Sequence, residues 1–203
     1  DGYIDNNLGW DFEGDDNDPQ VGGSDHGVHV AGCAAAATDN GTGVAGPGFN
    51  CKILPIRAGD GNLTYGYEGI TYAADHGADV INCSWGGPGG GQLGQDVIDY
   101  ATINMDALVV AAAGNDGGPD DDGRVASPSH IDEVISVGAI AENGSIWIGS
   151  SLGASTDSDG NVVPEFEASD CGRIGDVFFM FQVTDRSDLT DSIEDIHIEI
   201  IEP

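Results

Sequence analysis

The chain is 203 residues long, enough for one domain with a real hydrophobic core. Only 5 Lys and Arg stand against 36 Asp and Glu, a formal net charge of −31. Such a surface repels nucleic acid and anionic membrane, which argues against both as partners, and no apolar run is long enough to span a bilayer. It suits a salty or calcium-rich medium, where cations screen or bind the carboxylates; a merely solvated acidic surface is the plainer reading. The chain starts at Asp1 without a methionine, so it reads as a piece of a longer product, and its lack of a leader says nothing about export. None of the four cysteines, Cys33, Cys51, Cys83 and Cys171, forms a Cys-x-x-Cys pair, which argues against zinc. Cys33, Cys51 and Cys83 lie in apolar contexts and are expected to be small buried hydrophobes.

Residues 1–23 are rich in Gly, Asp and Asn and read as loop, with Gly9-Trp10-Asp11-Phe12 as a short apolar anchor. Asp11, Asp15, Asp16 and Asp18 crowd the next loop. Clustered oxygens on a flexible loop are what calcium prefers, although the spacing is not that of an EF-hand. A helix then starts at Ser24 or Asp25, either of which can cap its first turn. Val28, Ala31 and the run Ala34 to Ala37 give that helix small side chains on every face, which suits burial against a sheet. His26 sits in its first turn. There the positive end of the helix dipole disfavours imidazolium and keeps a neutral base available. A satisfied structural histidine is the bland alternative.

Residues 38–43 form a turn cluster. Residues 51–57 read as a strand, with Pro55 awkward unless it falls at an irregular end. Residues 64–76 read as a helix with Tyr67, Ile70, Ala73 and Ala74 at helical spacing and Gly77 as its stop. Residues 79–84 are expected to be a buried strand. After a glycine-rich loop, Leu93, Val97 and Ala101 mark one face of a helix reaching Met105. Residues 107–113 are apolar without alternation, as in a strand covered on both faces. Residues 115–123 are a polar turn region, and 134–140 one more buried strand. Strands alternating with helices at this spacing mean βαβ units and a parallel sheet, whose functional loops gather at the carboxyl ends of the strands. Ser84-Trp85-Gly86 and Gly114-Asn115 both fall just past such ends.

Beyond about residue 150 the pattern changes. Val177, Phe179, Phe181 and Val183 alternate, as do residues 196–200; both read as half-buried antiparallel strands, so 151–203 is expected to be a β-rich acidic segment following a domain over 1–150. Asp185, Asp188, Asp191, Glu194 and Asp195 are read as solvated loop charge in preference to a calcium site.

Three motifs carry a resemblance. His26-Gly27-Val28-His29-Val30-Ala31-Gly32 resembles the general-base motif of the subtilisin-like serine peptidases, the subtilases, with Val28 where the family usually has Thr. Asn82-Cys83-Ser84-Trp85-Gly86-Gly87 looks like the family's substrate-binding strand, and Ala111-Ala112-Ala113-Gly114-Asn115 like the segment ending in its oxyanion-hole asparagine. All three stand in the family's order over residues 1 to about 150. The resemblance implies a three-layer α/β fold with a central parallel sheet, incomplete here. It implies His26 as general base, Asn115 as oxyanion donor, and a specificity pocket between Ser84, Trp85, Gly86 and Ala112, Ala113, Gly114. It further implies polypeptide substrates, a secreted or cell-surface location, and structural calcium, for which Asp15, Asp16, Asp18, Asp39 and Asn40 are the ligand candidates.

Two parts of the chemistry are not found. No Gly-Thr-Ser-Met-Ala type string supplies the nucleophile; Ser187, in Asp185-Arg186-Ser187-Asp188, lacks the small neighbours. No Asp-Thr-Gly or Asp-Ser-Gly string supplies the orienting carboxylate. Asp5 is a faint stand-in, and Asp25 adjoins His26 in sequence and cannot easily reach around to its ring. A fragment of a subtilase, a non-catalytic relative used for binding or assembly, and a shuffled or misread C-terminal portion are the three explanations; the first is preferred because the retained motifs are intact. Nucleotide binding is a poor third class of function, since residues 86–91 lack the lysine of a P-loop and the charge opposes phosphate.

Overall fold

The computed structural model describes residues 3, 8–20, 22–87, 90–116, 126–139, 147 and 149–151. The β-rich tail expected over 151–203 therefore lies outside the described residues, except for Ser151. The elements run β1 (Trp10–Asp11), α1 (His26–Ala35), β2 (Ile56–Arg57), α2 (Gly66–Asp75), β3 (Val80–Cys83), α3 (Gly91–Asp99), β4 (Leu108–Ala112) and β5 (Val134–Val137). A π-helical turn, Tyr100–Asn104, continues α3.

Every strand pairing between these elements is parallel. β1 pairs with β2, Trp10 opposite Ile56. β4 lies between β3 and β5, with Ile81 opposite Val109 and Val110 opposite Ile135. The described strands thus form two sheets, β1-β2 and β3-β4-β5. Helix α2 packs against both, touching β2 and β3. Gly69 allows the close approach to β2: a Cβ there would stand 3.3 Å from Ile56 Cγ2.

The core is built from small and branched side chains: Ile70, Ala73 and Ala74 of α2, Ile81 and Cys83 of β3, Ile98 of α3, and Val109 and Ala111 of β4. β4 matches its expectation as the strand covered on both faces, with Val109, Val110 and Ala111 all buried. Helix α2 also ends as expected. Gly77 adopts φ +75°, the Ala78 amide donates to Ala73 O and the Gly77 amide to Ala74 O, which closes the helix in a Schellman motif.

Other expectations are corrected. β3 buries only Ile81 and Cys83 and exposes Val80 and Asn82, so it is covered on one face. β5 is half-buried rather than buried. Of the face expected on α3, Val97 packs on the core and Ala101, in the π-helical turn that follows, is buried, but Leu93 is 68% exposed and Gly94 and Ile98 complete the apolar face. β2 is two residues long because Pro55 lacks an amide hydrogen; its carbonyl still accepts from Trp10 N at 3.3 Å. Of the three described cysteines, Cys33 and Cys51 are exposed and Cys83 is buried. The largest departure is α1. None of its residues is buried, Val28 is 59% exposed, and Asp25 occupies the cap position without a side-chain hydrogen bond. Small side chains permit close packing, but among the described residues only the segment around Gly46 and Gly48 closes on this helix, at its C-terminal end, and its first turn is exposed.

Candidate active site

β3 ends at Cys83, whose thiol burial pushes up to about 12, and the chain continues through Ser84, Trp85 and Gly86. Asn82 Nδ2 donates to Ser84 Oγ at 2.9 Å. Gly87 and Ser127 exchange both backbone hydrogen bonds, at 3.2 and 3.0 Å, so this segment runs antiparallel to residues 126–127. Trp85 lies over Gly66, where a Cβ would stand 2.8 Å from the indole, and meets Tyr67 edge-on at 6.0 Å. The Tyr67 hydroxyl in turn shares a 2.6 Å hydrogen bond with Ser127 Oγ.

The second segment leaves β4 at Ala112. Ala113 N donates to Val137 O at 2.9 Å, and Ala113 O accepts from Ala126 N at 3.1 Å. Gly114 adopts φ +117°, a conformation that glycine reaches and L side chains rarely do. Its carbonyl accepts from Ser151 N at 2.9 Å, and Asp116 N donates to Ser151 Oγ at 3.3 Å. Ser151 thereby pins the backbone on both sides of Asn115 and leaves that residue exposed.

The two segments meet at one methyl group. A Cβ on Gly86 would stand 2.4 Å from Ala126 Cβ, and one on Gly114 3.7 Å from the same atom. Gly86 and Gly114, two of the expected substrate-binding residues, are therefore brought together on either side of Ala126. Ser84, Trp85, Ala112 and Ala113 belong to the same two segments. His26 stands apart in the contacts: it opens α1 and is exposed, and neither its ring nor the Asn115 side chain makes a hydrogen bond among the described residues. Ala126, Ser127 and Ser151 were not expected at this site. Their pairings span 35 to 60 residues of sequence or lie after a polar loop, and no local pattern marks them.

The calcium candidates divide. Asp11 Oδ1 accepts from Glu13 N at 2.8 Å and Gly14 N at 3.0 Å, and Oδ2 accepts from Arg57 Nη1 at 2.5 Å. Asp16 Oδ1 accepts from Asp18 N at 2.9 Å, and Asp15 and Asp18 are exposed. Residues 37–45 curve around an open cavity of about 200 Å³, in which Asp39 adopts φ +57° and Asn40 Oδ1 accepts from Thr42 N at 3.0 Å. Among the described residues no three His, Cys, Asp or Glu side chains gather to hold a metal ion. The donors are all oxygens, which is the chemistry calcium takes, and in the 37–45 loop carbonyl oxygens would have to join Asp39 and Asn40.

The fold defines the class: an α/β protein with parallel sheets, whose candidate site is assembled from loops just past the ends of β3 and β4. Residues 1–170 match the subtilase family, Peptidase S8, and the chain belongs to that family. It is 49% identical over 113 residues to thermitase from Thermoactinomyces vulgaris, an alignment covering 54% of this chain and 40% of that protein. Against the halolysin-like extracellular serine protease Nep of Natrialba magadii it is 39% identical over 166 residues, 79% of this chain and 28% of Nep. The structure is similar to that of the prenylagaramide maturation protease PagA, with a TM-score of 0.57 at 25% identity, over 71% of this chain and 50% of that one. The chain thus spans half the length or less of these relatives.

Proposed function

We propose that this chain is part of a serine endopeptidase that hydrolyses polypeptides. An extended substrate lies between residues 84–86 and 112–114, adding to them by main-chain hydrogen bonds. His26 takes the proton from the attacking serine hydroxyl. As the carbonyl becomes tetrahedral, the Asn115 side-chain amide donates to the oxyanion, a contact worth about 3 kcal/mol of barrier in such enzymes. The serine and the carboxylate that orients His26 come from polypeptide outside these 203 residues. In the longer protein the β1-β2 and β3-β4-β5 sheets belong to one three-layer fold. The protein works outside the cell or at its surface. Asp39 and Asn40, with carbonyl oxygens of the 37–45 loop, would hold a calcium ion that stiffens that loop and takes no part in the chemistry; Asp15, Asp16 and Asp18 would need further oxygens to hold one.

What supports this reading most is the convergence of Gly86 and Gly114 on Ala126, since it sets two peptide-binding segments side by side past neighbouring strand ends. The alternative is a non-catalytic subtilase relative that binds surfaces in a calcium-dependent way. It draws on the absence of a nucleophile motif from the 203 residues. A serine-directed phosphonate probe is expected to leave the chain unlabelled, while a short apolar peptide shifts the amide signals of Gly86 and Gly114. Covalent labelling would overturn the assignment of the serine to missing polypeptide. Unmoved glycine signals would overturn the peptide-binding reading and favour the alternative.

A further inference from the structure

Two glycines, Gly22 and Gly23, lead into α1, and their backbone rests on an ion pair. A Cβ on Gly22 would stand 2.5 Å from Arg57 Nη2, and one on Gly23 2.6 Å from Asp60 Oδ1. No larger residue fits either place without displacing a charged group. Arg57 ends β2 and forks: Nη1 meets Asp11 Oδ2 at 2.5 Å and Nη2 meets Asp60 Oδ2 at 3.3 Å. Three segments are thereby tied to one guanidinium. The Asp11–Asp16 loop enters through Asp11, the turn around Asp60 is closed by the Gly59–Leu63 bridge, and the lead-in to α1 lies across Arg57 and Asp60.

This seat matters because, among the described residues, little else holds that end of the helix. α1 has no buried residue and no side-chain cap. Its other ties, Gly48 N to Ala34 O at 2.8 Å and Gly46 N to Ala36 O at 3.0 Å, are at its far end. Lys52 and Arg57 are the only Lys or Arg among the described residues, so no other guanidinium there can take the role. A lysine could not replace it, because a point charge cannot hold two carboxylates in a fixed fork.

We propose that Arg57 and Asp60 are positioning residues for His26: through Gly22 and Gly23 they set where α1 begins and so where its first imidazole stands. The proposal rests on reading His26 as the proton acceptor. Its test reads the imidazole directly, so it stands or falls separately from the phosphonate and peptide experiments.

The test is heteronuclear NMR on the full isotope-labelled chain, comparing Gly23→Ala, Asp60→Asn, Asp60→Ala and Arg57→Lys with the parent. Gly23→Ala is expected to move the His26 ring signals and to speed exchange of the first hydrogen-bonded amides of α1, residues 29–32, by about tenfold, by local opening. β3 and β4 amides, and the ring of His76, which stacks on Tyr72, are expected to stay as they were. Asp60→Asn and Arg57→Lys keep side-chain bulk, carry the test if Gly23→Ala does not fold, and are expected to move the same His26 signals. The Gly23→Ala, Asp60→Ala double variant is expected to be no worse than Asp60→Ala alone, because the colliding carboxylate is gone. His26 signals unmoved in Asp60→Asn and Arg57→Lys, or exchange rising equally across β3 and β4, would overturn the proposal.

Discussion

Replacing Asp11 by Asn isolates the ion pair that joins β1 to β2. The Asp11 side chain is 4% exposed. Its carboxylate accepts two amides on Oδ1 and the guanidinium on Oδ2. Asn keeps the shape but brings an NH₂ group, which must face either Arg57 or those amides, so a donor meets a donor. Removing one member of a fully buried pair costs about 3–5 kcal/mol. Arg57 keeps 20% exposure and Asp60 as a second partner, which reduces the expected loss to about 2 kcal/mol. In a chain of this size that lowers Tm by about 4–8 °C. The pH dependence carries the sharper test. Burial alone would raise the Asp11 carboxyl, but the Gly14 amide, the Arg57 guanidinium and the Glu13 amide outweigh it and hold the group below its ordinary value. A carboxyl lowered on folding contributes stability above the unfolded value of about 3.9, and that contribution is lost as pH falls through the lower folded value. Urea unfolding followed by tryptophan fluorescence is therefore expected to show the full gap between parent and Asp11→Asn at neutral pH. The gap closes in acid, where a protonated Asp11 resembles Asn. A gap that persists undiminished at about pH 2 would refute the electrostatic account and leave only a packing effect.

Three further outcomes are expected. Ile98→Ala opens a cavity at a side chain with no exposure, and urea unfolding should show a loss of about 2–5 kcal/mol. Gly114→Ala places a methyl 2.8 Å from Ser151 Oγ at φ +117°, costing about 1–3 kcal/mol in strain. It should shift the Asp116 and Ser151 amides and weaken peptide binding; unchanged titrations would count against a role for this loop. An aromatic disulfide reagent at mildly alkaline pH should modify Cys33 and Cys51 in the folded chain, while Cys83, buried and pushed up to about 12, reacts only on unfolding. Site mapping by mass spectrometry separates them.

Elements held together by local chemistry were legible in the sequence. Gly77 ends α2 where its freedom at positive φ predicts, and the unbroken apolar run before Gly114 is the central strand β4. What local pattern leaves open is which surface a neighbour covers. The small residues of α1 and the apolar Val80 of β3 predict burial, yet no residue of α1 is buried and Val80 is exposed, because packing depends on partners that periodicity cannot supply. Cys33 and Cys51 fail as expected core residues for the same reason. At the candidate site, the two strand-end segments could be placed from the sequence, but the group between them, Ala126, could not. Its contacts with Gly86 and Gly114 are made in space across 40 and 12 residues, and alanine carries no chemical signal of its own. The link from Arg57 to Asp11 spans 46 residues and was equally invisible.

Among the described residues β3 pairs only with β4, and β2 only with β1, so each strand presents one side of its backbone without a partner. Such rows of amide and carbonyl groups act as templates for another chain. A net charge of −31 makes copies of this molecule repel one another, while β3 itself carries no charged or proline residue and its exposed Val80 is apolar. Resistance to pairing along that edge is then electrostatic more than architectural. Molar salt shortens the reach of that repulsion to about 3 Å, and under those conditions the chain should begin to self-associate.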